Sequence, residues 1–153
     1  MELDGFSPKQ LRAMTWWMPR SPDRDCEAIV CDGAVRSGKT LSMGLGFFLW
    51  AMCRFDGRQF GLCGKTMGSL RRNVLQELTP WLEMLGMQVT EHYSEHLLRV
   101  RFAGRENRFY VFGGRDESAA GLIQGITFAG ILMDEVVLAR RSTAVCPVRM
   151  ETK

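Results

Sequence analysis

The sequence contains no C-x-x-C pair. Its five cysteines, at positions 26, 31, 53, 63 and 146, are odd in number and nowhere spaced as zinc ligands. A structural zinc site is therefore not indicated, and reduced, buried thiols of a cytosolic protein are expected. Histidine is scarce: His92 and His96 lie four apart around a turn, which makes a poor metal pair. No basic-then-apolar leader opens the chain, and Asp4 interrupts its start. The longest apolar runs, such as Phe47–Cys53, fall well short of the roughly 20 residues that a membrane-spanning helix needs. Neither an internal repeat nor a low-complexity linker is visible. A soluble, intracellular protein is expected. The 153 residues, 46% hydrophobic and 24% charged, suit about one globular domain. The net charge of +3 permits nucleic-acid contact without arguing for it, and the pairs Arg71-Arg72 and Arg140-Arg141 read as solvated surface.

What the sequence does carry is the stretch CDGAVRSGKT, Cys31–Thr40. Within it, Gly33-Ala34-Val35-Arg36-Ser37-Gly38-Lys39-Thr40 matches G-x-x-x-x-G-K-[ST], the phosphate-binding loop. Glycine permits positive φ and close approach to a ligand. Successive backbone N–H groups can then face one concavity and hold phosphate oxygens. A helix starting near Gly38 adds the positive end of its dipole. Lys39 would reach the β- and γ-phosphates and Thr40 would offer its hydroxyl to Mg²⁺.

The flanks supply the context that this motif requires. EAIVC, Glu27–Cys31, reads as a buried strand, and Leu41–Arg54 is long and apolar enough for a packed helix. Upstream, FSPKQLRAMTWW places Ser7 as N-cap and Pro8 at the first helical position, followed by a loop over Met18–Asp25. Downstream, Gln59–Cys63 reads as a strand. Met67–Leu85 reads as a helix that Pro80 breaks or kinks. Leu97–Phe102 and Arg108–Phe112 read as strands joined by a turn at GREN. Gly113–Gly125 reads as a loop with a short helix, and Gly130–Asp134 as a third buried strand. Strands alternating with helices predict parallel crossovers and an α/β sandwich.

That last strand, ILMDE, ends in acid where the phosphate loop also belongs, at the carboxyl edge of a sheet. Asp134 would hold Mg²⁺ and Glu135 would polarise a water for attack on the γ-phosphate. A kinase of small molecules must exclude water, so a second acid favours hydrolysis. Strand-end acids also serve as helix caps. Arg36, inside the loop, either reaches the γ-phosphate or faces solvent. Gln10 either lies over the nucleotide, where its amide can read adenine, or is an ordinary helix glutamine. Trp16 and Trp17 read as core.

With these residues in hand, the sequence resembles the large terminase subunit of tailed phages. The likeness runs from about Phe6 to Val136. FSPKQ, GAVRSGKT, GKTMGSLRRNVL, FGGRDESAAGLIQGITFAG and ILMDEV carry it. The resemblance implies a P-loop NTPase of the additional-strand, catalytic-glutamate class, a three-layer sandwich with a mainly parallel central sheet. It also implies an ATP- and Mg²⁺-dependent motor that drives double-stranded viral DNA into a procapsid in the cytoplasm of a bacterial host. Carried over by position, Gly33, Ala34, Val35, Arg36, Ser37, Gly38, Lys39 and Thr40 bind the nucleotide. Gln10 reads adenine, Thr40 and Asp134 hold the metal, and Glu135, Lys39 and Arg36 are catalytic. The implied partners are DNA, the terminase small subunit, the portal protein and further copies in a ring, with no membrane.

The chain ends at Lys153, shortly after Glu135, whereas the family continues with a coupling strand and a nuclease domain. The expectation is a partial ATPase domain over 1–136 and an atypical tail over 137–153, with the sheet incomplete at its C-terminus and the nuclease absent. Three alternatives remain: a fragment that binds nucleotide without hydrolysing it, another motor of the same class, such as a helicase, and an inert relic that does not fold stably.

Overall fold

The structure, a computed structural model, describes residues 5–33, 37–114, 125–134 and 145–150. Its contacts divide the chain into two units, Met1–Phe47 with Ala139–Lys153, and Phe48–Leu138.

In the first unit, helix α1 (Pro8–Met14) starts where the sequence predicts. Ser7 is its N-cap, and Ser7 and Gln10 form a capping box in which each side chain bonds the other's backbone N–H. Strand β1 (Ala28–Gly33) runs parallel to β7 (Val145–Met150), with Ala28 opposite Val145 and Gly33 opposite Met150. The expected atypical tail thus carries a strand that too few alternating residues announced. Helix α2 (Lys39–Arg54) contributes its first half here. A Cβ on Gly46 would lie 2.8 Å from both the Ala13 carbonyl oxygen and the Met14 Cα, so α1 and α2 approach at a distance that only glycine allows. Ala13 is buried, and Ile29 and Cys31 of β1 pack against it. Asp23, in the loop after α1, is buried and receives two hydrogen bonds from Arg12, at 2.5 and 2.6 Å. One expectation fails in this unit: Cys26, just before β1, is disulfide-bonded rather than reduced. It is half-buried in a turn outside the packed core.

The second unit is built on a five-stranded sheet of order β3-β4-β5-β2-β6. Strands β2 (Gln59–Gly64), β5 (Arg105–Gly113) and β6 (Gly130–Met133) are mutually parallel, while β3 (Gln88–His92) and β4 (Leu97–Phe102) add an antiparallel flank. Strand β3 has a polar sequence, Gln-Val-Thr-Glu-His, with too little apolar alternation to be read as a strand. Phe60, Leu62, Phe109 and Val111 form the buried face. Phe48 of α2 stacks on Phe109 with ring centroids 4.4 Å apart, and Phe60 stacks on the same ring at 5.1 Å.

Two turns differ from the sequence expectation. The β4–β5 hairpin turns at Ala103-Gly104, both at positive φ (48° and 78°), rather than at GREN, whose last three residues lie in β5. Two central residues with positive φ match the twist of the flanking strands. The helical stretch 67–84 runs straight through Pro80: α3 (Met67–Leu70) is followed by a wide π-helical turn, Arg71–Leu75, and then α4 (Gln76–Met84). The irregularity therefore lies one turn before the proline, where the Gln76 N–H bonds the Arg71 carbonyl.

Asn107 ties α2 to the sheet. It is fully buried; its Oδ1 accepts from the Arg58 N–H at 2.8 Å, and its Nδ2 donates to the Ala51 and Phe55 carbonyls at 3.1 and 3.0 Å. Replacing Asn107 by Leu removes the side-chain partner of the Arg58 N–H and the Phe55 carbonyl, while the Ala51 carbonyl keeps the Phe55 N–H, and is expected to cost about 1–3 kcal/mol in chemical denaturation. A second prediction concerns acid. The hydrogen bonds from Arg12 hold the Asp23 carboxyl below its ordinary value of 3.8, burial works against them, and the guanidinium charge assists. A depressed carboxyl contributes stability above its unfolded value and loses it as pH falls through the folded one. Melting temperatures of wild type and Asp23→Asn should therefore differ most at neutral pH and converge on acidification below 3.8.

Candidate nucleotide-binding site

The phosphate-loop motif falls where strand gives way to helix. Gly33 closes β1, and Lys39 and Thr40 are the first two residues of α2. Ala34, Val35 and Arg36 lie outside the described residues. Gly38 takes φ +73°, the left-handed backbone that turns the loop into the helix. Its carbonyl accepts both the backbone N–H and the hydroxyl of Ser42, at 3.0 and 2.7 Å, and Ser42 is fully buried beneath the loop. Those two bonds fix the first turn of α2 while leaving its leading N–H groups at the positive end of the helix dipole.

Lys39 lies at this end. Its ammonium donates to the Ser37 hydroxyl at 3.4 Å, and Ser37 is itself buried. Burial pushes the Cys31 thiol up to about 11, against the pull of the Lys39 charge. The thiol is therefore protonated at neutral pH and contributes no competing anion beside the lysine.

Gln10 reaches this loop from α1. Its Nε2 donates to the Ser37 carbonyl at 2.9 Å, and its Oε1 accepts from the Ser7 N–H at 2.7 Å. The first unit thus brings together Gln10, Ser37, Gly38 and Lys39. The sequence singled out Gln10 for a base. Its bond to the loop spans 27 positions and carries no local signal.

The acidic residues belong to the second unit. Asp134 directly follows β6, and its N–H bonds the Cys63 carbonyl at 2.8 Å, extending the β2–β6 ladder by one residue. The carboxylate is thereby carried at the C-terminal end of a parallel strand. Strand β6, expected to be buried, buries Leu132 but leaves Ile131 and Met133 exposed, because among the described residues it is the edge of its sheet. Glu135 lies outside the described residues. Among those residues, no helix is long and apolar enough to cross a membrane.

No protein-family profile matches the chain, and no curated protein sequence does. Solved structures do. The large terminase of a thermophilic bacteriophage is 48% identical over 85% of this chain, with a TM-score of 0.83. The same phage's large terminase in complex with ADP is 39% identical over 95% of the chain, with a TM-score of 0.82. The large-terminase ATPase domain of Thermus phage P74-26, at 16% identity over 72% of the chain and 49% of that domain, with a TM-score of 0.51, shows the fold alone. The chain spans 32% and 38% of the two more similar proteins, about a third of their length. An α/β fold shared at 39–48% identity over 85–95% of the chain places it in the large-terminase family of bacteriophages.

Proposed function

We propose that this chain is an ATPase unit of a DNA-packaging motor, hydrolysing ATP to drive double-stranded DNA into a procapsid. The observation that carries the reading is the start of α2: Lys39 and Thr40 open the helix directly behind a positive-φ glycine, in a chain similar to a terminase seen with ADP. In this reading, the loop amides from Gly33 to Thr40 and the Lys39 ammonium hold the phosphates, and Gln10 lies near the base. Arg36 meets charge that develops on the γ-phosphate. Glu135 accepts a hydrogen bond from the attacking water and aligns it with the bond to be broken. The Thr40 hydroxyl and the Asp134 carboxylate are hard oxygen donors that suit Mg²⁺, which would neutralise phosphate charge there. DNA would be held through its phosphates with salt-dependent affinity. Further copies in a ring, the small subunit and the portal protein complete the assembly, in the cytoplasm of the bacterial host.

Phosphate release and nucleotide affinity, measured side by side, test this. Wild type should release phosphate from Mg²⁺-ATP. Glu135→Gln should bind ATP as wild type does but hydrolyse it about a hundredfold more slowly, the scale of a lost general base. Lys39→Ala should lose at least about tenfold in ATP affinity, as expected when a charge-assisted contact to phosphate disappears. Asp134→Asn should slow release and weaken its dependence on Mg²⁺. Tight ATP binding by wild type with no release would instead identify a nucleotide-binding unit that does not turn over.

A further inference from the structure

We propose that Gln10 is a positioning residue for the phosphate loop, holding its helical end in place whatever base the nucleotide carries. This rests on the reading that the loop binds nucleotide phosphates, and it assigns Gln10 a task other than recognising adenine.

The glutamine is firmly mounted. Helix α1 is fixed at three places: the capping box at its first turn, the Ala13–Met14 backbone lying against Gly46 of α2, and the paired hydrogen bonds from Arg12 to buried Asp23. Gln10 is the N3 residue of that capping box. Its Oε1 is drawn back onto the Ser7 N–H at 2.7 Å, which fixes the plane of the amide and aims Nε2 away from α1. Nε2 then meets the Ser37 carbonyl at 2.9 Å.

Ser37 immediately precedes the left-handed step of the loop. Gly38, with φ +73°, follows it, and a Cβ at Gly38 would come within 2.5 Å of Gln10 Nε2. The glutamine therefore closes directly over the turn that delivers Lys39 and the first α2 amides. A Ser37 carbonyl engaged by Gln10 is not free to turn toward an anion held by the first α2 amides. By the donor and acceptor count of a primary amide, Gln10 retains one N–H and one lone pair. Contact with a base is compatible with this arrangement but is not what the arrangement depends on.

The two roles separate by ligand. Binding of Mg²⁺-ATP, Mg²⁺-GTP and inorganic tripolyphosphate is measured with the full chain and with Gln10→Glu and Gln10→Met. Glutamate at N3 keeps the capping box but cannot donate to the Ser37 carbonyl; methionine keeps the length and adds no charge. A positioning role predicts that both variants lose about five- to tenfold in affinity, the scale of one hydrogen bond, by similar factors for all three ligands. It also predicts faster amide hydrogen exchange over 37–42 in both variants without any ligand, at a melting temperature close to wild type for Gln10→Glu. A loss confined to ATP, or unchanged exchange over 37–42, overturns the proposal. Wild type that binds none of the three ligands would refute the phosphate-loop reading, while the exchange measurement still decides whether Gln10 holds the loop.

Discussion

The left-handed backbone at Gly38 is the constraint on which the site depends. It turns the chain from the end of the loop into α2 within one residue, so that Lys39 and Thr40 open the helix. Its carbonyl is used twice by Ser42, so the turn and the first helical hydrogen bonds are one unit. A side chain at this position would meet both the strain of positive φ and the amide of Gln10. The glycine thus answers to conformation and to crowding together, and α1, which delivers that amide, becomes part of the site.

The same logic of close approach recurs at Gly46, where α1 lies on α2 with no room for a methyl group. Beyond the loop, the second unit obtains rigidity differently. Its aromatic stack of Phe48, Phe109 and Phe60 is joined by a buried polar residue, Asn107, whose amide bonds the N–H of Arg58, the Ala51 carbonyl of α2 and the Phe55 carbonyl just beyond it. On the opposite side-chain register, Arg99 and Arg108 stand directly across β4 and β5, a like-charge pair that Glu106 moderates through ion pairs with Arg99 at 3.4 Å and Arg101 at 2.5 Å. Asp134 rides on this framework as the residue that follows the parallel β2–β6 pair.

Much of this was legible because its causes are local. Ser7-Pro8 opens α1, the glycine loop separates a β-branched strand from an apolar helix, and Gly130–Met133 forms the strand that leads into acid. What stayed hidden depends on distant partners or on atypical residues. Ala103 occupies a positive-φ turn position that sequence rules give to Gly or Asn. Strand β3 is polar because it flanks the sheet, so its pairing with β4 has no apolar rhythm to announce it. The β7 pairing with β1 and the reach of Gln10 to Ser37 join residues far apart in the chain. The wide turn at Arg71–Leu75 displaced the irregularity that Pro80 led one to expect. Arg36 and Glu135 lie outside the described residues.

The proposed function requires that Thr40, the second residue of α2, and Asp134, directly after β6, serve one bound nucleotide. Paramagnetic broadening by Mn²⁺ with ADP, read at the backbone amides of both residues, tests it most directly. The account predicts that both signals vanish together when Mn²⁺ and ADP are added and return with Mg²⁺. Loss of the Thr40 signal while that of Asp134 stays sharp would contradict it.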